Sequence, residues 1–384
     1  MKKLQLLIVL LCLGSLTTVM AQDLSKVSIS GSVDAYYRAN LNAPNKGGFA
    51  QAPGTSFANQ PGFALGMANI ITAYEGEKVG FVADLVFGPR GADAVFNSTG
   101  SANIVNQLYM YWNVNDAVTF TFGNFNTFLG YEVISPAANF NYSTSYMFSY
   151  GPFSHTGLKA DIALNDNWSL MAAVMNPTDL TEFNPTGSYY GGLQLAYEND
   201  MGGTWLNLLY GDQDGKLDED FPLVPGQMSG GSTFQIDLTT GFDVSDVVYL
   251  GLNATYNTTA AGEMYDGTSI SDADGDGAGF YGVAGYVQAS TSDRFSIGLR
   301  GEYFNIFNDG LTGDDGWTPV GVDENGDGNV FAVTLSGNYK IVENFTLIPE
   351  VRLDSMSEED YFVNNELTGS KSLSSFLLAA VFSF

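Results

Sequence analysis

The chain ends with the uncharged stretch Phe376-Leu-Leu-Ala-Ala-Val-Phe-Ser-Phe384. In an extended strand, side chains alternate between two faces, so that Phe376 and Phe384 share one face and Ala379 and Ser383 share the other. Chain termini normally fray into water, and a soluble protein has little reason to end on so apolar a strand. The last strand of a membrane barrel, however, must pair with the first strand and contact lipid. The ending therefore predicts a transmembrane β-barrel that closes between this stretch and residues 27–37, with the phenylalanine face toward lipid.

The first 21 residues are predicted to be a cleaved secretory signal peptide. Lys2 and Lys3 give a cationic start, an apolar run follows at 4–13, and small and polar residues lead to Ala21. The apolar run is shorter than the ~20 residues that a membrane anchor needs. The mature chain, 22–384, is then predicted to be one domain without cysteine, so that disulfides and thiolate sites are not expected.

The composition of the mature chain favours strands. In the full sequence only 15% of residues are charged, whereas Gly, Tyr and Phe number 45, 21 and 27, and all but one of these Gly, Tyr and Phe residues lie in the mature part. No mature segment offers 18 continuous apolar residues, so that any membrane must be crossed by strands. Removal of Lys2 and Lys3 reduces the 14 basic residues to 12 against 42 acidic residues, and the formal charge changes from −28 to −30. Such an acidic chain is not expected to bind nucleic acid.

Period-two alternation and turn residues predict sixteen antiparallel strands in an all-β, up-and-down barrel. A first strand at 27–38 and a last strand at 376–384 enclose seven hairpins. The paired strands are 62–74 and 79–87, 104–114 and 118–125, 157–164 and 168–175, 189–197 and 204–210, 233–244 and 247–256, 280–289 and 295–307, and 330–341 and 345–353. Between hairpins the connections are long and polar, for example 42–61, 131–156, 211–231, 260–277 and 308–328. Transmembrane barrels alternate short periplasmic turns with long extracellular loops in this way, and a soluble β-sandwich gives no reason for it.

Two motifs resemble a known family. They are Asn106-Gln-Leu-Tyr-Met-Tyr-Trp-Asn-Val-Asn-Asp-Ala-Val-Thr-Phe-Thr-Phe-Gly-Asn-Phe-Asn-Thr-Phe-Leu-Gly-Tyr-Glu132 and Phe148-Ser-Tyr-Gly-Pro-Phe-Ser-His-Thr-Gly157, and they resemble the OmpL-like β-barrel porin family. The resemblance implies an outer-membrane channel through which small hydrophilic solutes diffuse, and it brings no catalytic residues. The terminal Phe384 is likewise similar to the end of many outer-membrane barrels, where the last strand addresses the insertion machinery.

Charges of both signs are expected on the lumen face. Sixteen strands enclose a lumen too wide for side chains alone to fill, so that an aqueous channel is predicted. The predicted lumen charges are Asp34, Arg38, Asp237, Arg300, Glu302, Lys340, Glu350, Arg352 and Asp354. One interpretation is a hydrated wall with paired charges. The other is a transverse field, formed by residues 300, 302, 350 and 352, that orients polar solutes.

The loops from residue 211 onward are strongly acidic. Only Lys216 and Lys371 oppose 20 acids, which are Asp212, Asp214, Asp218, Glu219, Asp220, Glu263, Asp266, Asp272, Asp274, Asp276, Asp309, Asp314, Asp315, Asp323, Glu324, Asp327, Glu358, Glu359, Asp360 and Glu366. An acidic vestibule concentrates cations over a Debye length of ~8 Å at physiological salt. A weak preference for cations is therefore predicted.

Two of these loops match the first half of a calcium-binding EF-hand loop. They are Asp272-Ala-Asp274-Gly-Asp276-Gly277 and Asp323-Glu-Asn325-Gly-Asp327-Gly328, with oxygen donors two residues apart. The twelfth position is Val283 in the first loop and Thr334 in the second, so that the bidentate Glu of an EF-hand is missing from both. The loops are interpreted either as Ca²⁺ sites no tighter than ~10⁻⁴–10⁻³ M or as solvated acidic loops, and no other cofactor is predicted.

The longest connection, 131–156, is aromatic and carries a single charge, Glu132. Its aromatic residues are Tyr131, Phe140, Tyr142, Tyr146, Phe148, Tyr150 and Phe153. A loop of this length and apolarity does not favour exposure to water. It is predicted to fold into the lumen as the constriction. Packing on a neighbouring barrel in a homo-oligomer and capping of the mouth are the alternatives, and inward aromatic rings that stack on sugars would indicate carbohydrate passage.

No enzyme is predicted. The only histidine, His155, lies beside Ser154, and adjacent strand residues point to opposite faces, which does not suit a Ser-His hydrolase. Besides a porin, two hypotheses remain: a closed barrel that acts as an adhesin or assembly partner, and a dedicated transporter. The sequence identifies neither the solute nor the oligomeric state.

Overall fold

The computed structural model describes residues 24–185, 187–212, 232–260, 262–263, 269–270, 277–311 and 317–384. They form an antiparallel barrel of sixteen strands, which confirms the predicted fold class. The barrel strands are β1 (Val27–Asn40), β2 (Gly62–Glu75), β3 (Val79–Phe87), β4 (Val105–Asn115), β5 (Val118–Asn126), β6 (Ser154–Ala163), β7 (Trp168–Met175), β8 (Tyr190–Asn199), β9 (Gly202–Asp212), β10 (Ser232–Ser245), β11 (Val248–Thr259), β14 (Ala278–Ser292), β15 (Phe295–Phe307), β16 (Gly328–Val342), β17 (Phe345–Met356) and β20 (Ser372–Ser383). The proposed signal peptide, 1–21, lies outside the described residues.

Smaller elements lie in the long connections. Two short hairpins are β12 (Gly262–Glu263) with β13 (Ser269–Ile270), and β18 (Phe362–Val363) with β19 (Gly369–Ser370). The described helices are Pro89–Ala94 and Tyr146–Tyr150, and the 3₁₀ turns are Leu24–Lys26, Gly47–Phe49 and Gly100–Ile104. No helix in the described part of the chain is long and apolar enough to cross a membrane.

The barrel closes between its first and last strands, as the ending of the sequence predicts. β1 pairs with β20 from Ser32 opposite Ser383 to Asn40 opposite Ser375. Gly31 N donates to the carbonyl oxygen of Phe384 (3.1 Å), and Phe384 N donates to that of Gly31 (3.0 Å). The apolar side chains of β20 divide between the two faces as expected: residues 377, 379 and 381 are buried inside, whereas 378 and 382 are exposed outside.

Large apolar side chains cover the outer face of the barrel. Among the most exposed are Phe63, Leu65, Met110, Phe122 and Val174. In water such a surface would be costly, because each buried CH₂ group gains about 0.8 kcal/mol from leaving water. The outward apolar and inward polar alternation is the pattern that a lipid bilayer requires of a barrel.

Residues 62–74 do not alternate regularly between the two faces of the barrel because β2 carries one extra residue. Val33 of β1 lies opposite Ala68, and Ala35 lies opposite Leu65, so that β2 advances three residues while β1 advances two. Such a bulge changes which face the following residues point to. Residues 63 and 65 therefore point outward on one side of the bulge, and Asn69 points inward on the other. In 280–289, the even residues point inward and are buried as far as residue 286, and the odd residues point outward.

Candidate functional site

The connection after β5 folds into the barrel, and residues 127–153 are called the inserted segment. At one end, Gln194 Nε2 on β8 donates to the carbonyl oxygen of Phe128 (3.3 Å). Farther along, Asn338 Nδ2 on β16 donates to the carbonyl oxygen of Phe140 (3.0 Å), and Tyr142 Oη donates to Asp34 on β1. The segment therefore contacts the inner wall from β8 round to β1.

Two carboxylates on the wall bind backbone N–H groups of the inserted segment. Glu302 accepts from Met147 N (2.8 Å) and Tyr146 N (3.0 Å), at the start of the helix Tyr146–Tyr150. Glu350 accepts from Tyr142 N (2.9 Å). Hydrogen bonds to charged groups are roughly twice as strong as neutral ones, and free N–H groups at a helix start favour an anion. These two side chains therefore hold the segment against β15 and β17.

Two buried ion pairs also involve the segment. Arg300 pairs with Glu132 and donates to the carbonyl oxygen of Ser143 (2.8 Å). Arg352 pairs with Asp354 (2.8 Å) and donates to the carbonyl oxygen of residue 144 (2.7 Å). A buried charge is costly without a partner, and here each guanidinium has both a carboxylate and a carbonyl oxygen. The inserted segment thus supplies a carboxylate to Arg300 and a carbonyl oxygen to each guanidinium.

The other lumen charges have different surroundings. Asp237 is buried and accepts from Gly130 N (2.9 Å) and from the side-chain amides of Asn207 (3.0 Å) and Asn253 (2.7 Å). Arg38 donates to the carbonyl oxygens of residues 51 (3.2 Å) and 59 (3.3 Å) in the first long connection. Lys340, near the short turn after β16, is exposed.

The interpretation of a hydrated wall with paired charges is therefore wrong about hydration for most of these side chains, although Arg300 and Arg352 are paired as it expects. Arg300 and Glu302 are 0% exposed, and Glu350, Arg352 and Asp354 are also buried. The reason is that the inserted segment covers them and provides the hydrogen bonds that water would otherwise provide. A wide lumen lined by strands alone would have left these charges in water.

The aromatic residues of the segment separate into two groups. Tyr142, Tyr146, Phe148 and Phe153 are buried in packed clusters inside the barrel. Tyr131, Phe140 and Tyr150 are only half-buried, and Tyr150 Oη donates to the carbonyl oxygen of Gly54. Most of these rings therefore pack the segment in place, and only the half-buried rings are open to a solute.

A cavity of about 610 Å³ lies between the inserted segment and the short turns. Residues 136–141 form its roof, and lumen-facing residues near the turns of β9–β11, β14–β17 and β20 form its wall. We call it the turn-side chamber. Its volume is within the range of about 300–1,000 Å³ that is usual for small-molecule sites.

Arg90 is a site residue that the sequence reasoning missed. It lies in the helix Pro89–Ala94, is buried, and donates to the carbonyl oxygens of Ile134 (2.8 Å) and Tyr142 (3.2 Å). Its guanidinium also lies 4.5 Å from the ring centroid of Phe57. Gly88-Pro89 after a strand signals a helix start, but no local pattern relates Arg90 to a carbonyl group more than forty residues away.

His155 and Asp179 help to hold the end of the inserted segment. His155 is fully buried, and its Nε2 lies 3.0 Å from Thr127 Oγ1. Asp179 accepts from Phe153 N (2.8 Å) and Ser154 N (2.9 Å). Burial raises the pKa of the Asp179 carboxyl to about 6, although the two N–H groups lower it. Asp179 was not identified from the sequence.

The two predicted calcium loops are only partly described. Asp272, Asp274 and Asp276 lie outside the described residues. In the second loop, Asp323 Oδ1 accepts from Asn325 N (2.8 Å) and Asp327 N (3.1 Å), which lowers the pKa of Asp323. Among the residues that the structure describes, no group of three His, Cys, Asp or Glu side chains is arranged to hold a metal ion. Calcium binding stays a prediction.

Exposed acids surround the end of the barrel that carries the long connections. The exposed acids described there are Asp93, Glu182, Asp309, Asp323, Glu324, Asp327, Glu359, Asp360 and Glu366. Lys46 and Lys371 are exposed at the same end. The described part of this rim is therefore negative.

The model of the family described as "Putative beta-barrel porin-2, OmpL-like" matches residues 26–384. No curated protein sequence matches the chain.

Several solved structures share the fold. An anion-selective porin from Comamonas acidovorans is 11% identical over 93% of this chain and 99% of that chain, with a TM-score of 0.57. The outer membrane channel DcaP of Acinetobacter baumannii is 15% identical over 93% and 97%, with a TM-score of 0.56. OmpT of Vibrio cholerae, in its trimer form, is 10% identical over 93% and 99%, with a TM-score of 0.53. At these identities, the similarity concerns the fold alone.

Proposed function

Because the chain belongs to the OmpL-like family of β-barrel porins, we propose that it is a weakly cation-preferring outer-membrane channel for small hydrophilic solutes, and that the inserted segment is its constriction. The observation that carries the proposal is the attachment of this segment to the wall. The carboxylates of Glu302 and Glu350 bind its backbone N–H groups. Arg300 forms an ion pair with Glu132 of the segment, and Arg352, which forms an ion pair with Asp354 on the wall, donates to a backbone carbonyl oxygen of the segment. A segment fixed at both ends and in its middle narrows a lumen permanently.

The acidic rim supports the preference for cations. Its exposed carboxylates act on ions within a Debye length of ~8 Å at physiological salt. The fold does not decide the sign, since the neighbour from Comamonas acidovorans is anion-selective. The preference therefore rests on this chain's own rim charges and is expected to be weak, because screening limits their reach into the lumen.

Planar-bilayer recording tests the proposed function. Steady single-channel current and a reversal potential on the cation side in a potassium chloride gradient are expected. Substitution of Asp323, Glu324 and Asp327 by their amides should move the reversal potential toward zero. Asp246→Asn, in the exposed turn at the opposite end, is the matched control. Anion preference in the unsubstituted protein would contradict the proposed selectivity.

A plugged barrel that acts as a transporter, adhesin or assembly partner is the second candidate. The observation in its favour is the burial of the wall charges under the inserted segment. Such a barrel would give no steady current in the same recording. A homo-oligomer is also proposed, supported by the trimer form of the Vibrio cholerae neighbour, and it is tested by cross-linking in the membrane.

A further inference from the structure

The wall of the turn-side chamber carries aromatic rings on three of its strands. Trp205 lies on β9, Tyr249 on β11 and Tyr286 on β14, and all three point into the lumen. The inserted segment adds Tyr131 and Phe140. The ring of Tyr131 stacks on that of Tyr286 with centroids 4.0 Å apart. Five aromatic rings therefore line one side of the chamber, from β9 to β15, and we call them the aromatic band.

Glycines seat these rings against the wall. A Cβ atom at Gly298 would lie 2.3 Å from the ring of Phe140, and one at Gly251 would lie 2.9 Å from that of Tyr131. On β9, a Cβ atom at Gly203 would lie 2.6 Å from the ring of Trp205. These glycines face the lumen, where any larger side chain would push the ring into the chamber. Trp205, Tyr131 and Phe140 are half-buried, so that the wall covers part of each ring and the chamber borders the rest.

Uncharged polar groups share the lining with the rings. They are the side chains of Asn139, Asn141, Gln288, Asn338 and Thr346. Side-chain amides both donate and accept hydrogen bonds, and so they match a ligand with many hydroxyl groups. Part of this capacity is used internally. Asn338 Nδ2 donates to the carbonyl oxygen of residue 140, Asn141 Nδ2 donates to Ser336 Oγ, and Asn139 exchanges two hydrogen bonds with the backbone of Val133. The remaining donors and acceptors border the aromatic band.

Fixed charge contributes little to this lining. The Glu132 carboxylate is buried and binds Arg300 and Ser145 N (2.7 Å), so that its charge is already compensated. Lys340 is the other charged residue of the lining, and it is exposed at the turn end. Flat rings beside amides and hydroxyls suit a ligand with one apolar C–H face and hydroxyl groups at its edge.

We propose that the turn-side chamber is a binding site for neutral oligosaccharides, which stack on the Trp205–Tyr249–Tyr131–Phe140 band while they pass through the channel. The proposal rests on the proposed channel function and specifies its solute class. Sugar rings have an apolar face and a hydroxylated edge, which matches the two kinds of group in the lining. A hydrocarbon would leave the amides without partners, and an ion would find only one uncompensated charge.

Blocking of the ion current by maltotriose tests the proposal. Maltotriose added to the full-length protein in a planar bilayer should reduce the current in a saturable manner, with half-block at millimolar concentration. A polyethylene glycol of the same hydrodynamic radius should reduce the current without saturation. Equal, unsaturated reduction by both compounds would overturn the proposal. A barrel without any current would instead overturn the proposed function.

Two variants and one control locate the site. Trp205→Ala and Phe140→Ala should each raise the half-blocking concentration about tenfold, the upper range for one stacked ring. Trp168→Ala removes a ring of the same size from the outer face near the same end and should leave it unchanged. Phe140 lies outside the strands, so that its variant stays informative where Trp205→Ala fails to insert. Equal half-blocking concentrations in Phe140→Ala and Trp168→Ala would overturn the proposal.

Discussion

Removal of the Glu302 carboxylate should release the middle of the inserted segment. Met147 N and Tyr146 N both donate to this side chain, at 2.8 and 3.0 Å, and the site is fully buried. In Glu302→Ala both N–H groups lose their acceptor. An unsatisfied buried donor costs about 1–3 kcal/mol, so that the closed segment should lose about 2–6 kcal/mol relative to an open one. Glu302→Gln keeps one acceptor oxygen and should lose about half as much.

Hydrogen exchange measures this loss directly. Exchange of the amides of residues 142–150 in the folded, detergent-solubilised barrel should be at least about thirty times faster in Glu302→Ala, since tenfold corresponds to about 1.4 kcal/mol. Strand amides should keep their protection. Asp161→Asn is the control, because this half-exposed carboxylate pairs with Lys159 (2.9 Å) on the wall. Unchanged exchange of residues 142–150 in Glu302→Ala would refute the idea that the carboxylate holds the segment.

Three further predictions concern the long connections and the closing seam. Because burial raises the folded-state pKa of Asp179 to about 6, its contribution to stability is complete below its ordinary value near 4 and is lost as pH rises through 6. The melting temperature of the wild type should therefore fall relative to that of Asp179→Asn between pH 4 and 7, and a relative rise would contradict this. Phe384→Ala should reduce the heat-modifiable, membrane-inserted fraction of the protein while export continues, because the ring lies at the closing seam. A membrane-inserted fraction equal to that of the wild type would show that the ring is dispensable. Millimolar Ca²⁺ should slow proteolysis near Asp323 in the wild type but not in Asp323→Asn. Equal rates of proteolysis with and without calcium in the wild type would show that the loop does not bind calcium.

The strands were predictable because their determinants are local. Period-two alternation and tight turns give all sixteen barrel strands within a few residues, and the apolar ending gives the seam between β1 and β20. The last strand, however, begins at Ser372, four residues before the predicted start. Its first four residues include three serines, whose polarity hides the alternation. Their backbone nevertheless pairs with β17, and Ser375 also pairs with β1.

The lumen charges were predictable in position but not in surroundings. Alternation places Arg300 and Glu302 on the inner face, as the structure has them. Their partners, Glu132, Met147 and Tyr146, lie more than 150 residues away in sequence, and no local pattern defines such contacts. The aromatic content of 131–156 did indicate that this connection avoids water. It could not indicate which rings pack inside the segment and which line the chamber.

The central claim is that a fixed segment narrows a conducting barrel, and single-channel conductance tests it most directly. Wild-type protein and a variant that lacks residues 137–149 are compared in the same planar bilayer and salt. A steady channel in the wild type and a larger conductance in the deletion variant are predicted, because the deletion removes the chamber roof and the contacts to Glu302 and Glu350. Equal conductance in the two proteins, or no current in either, would contradict the claim.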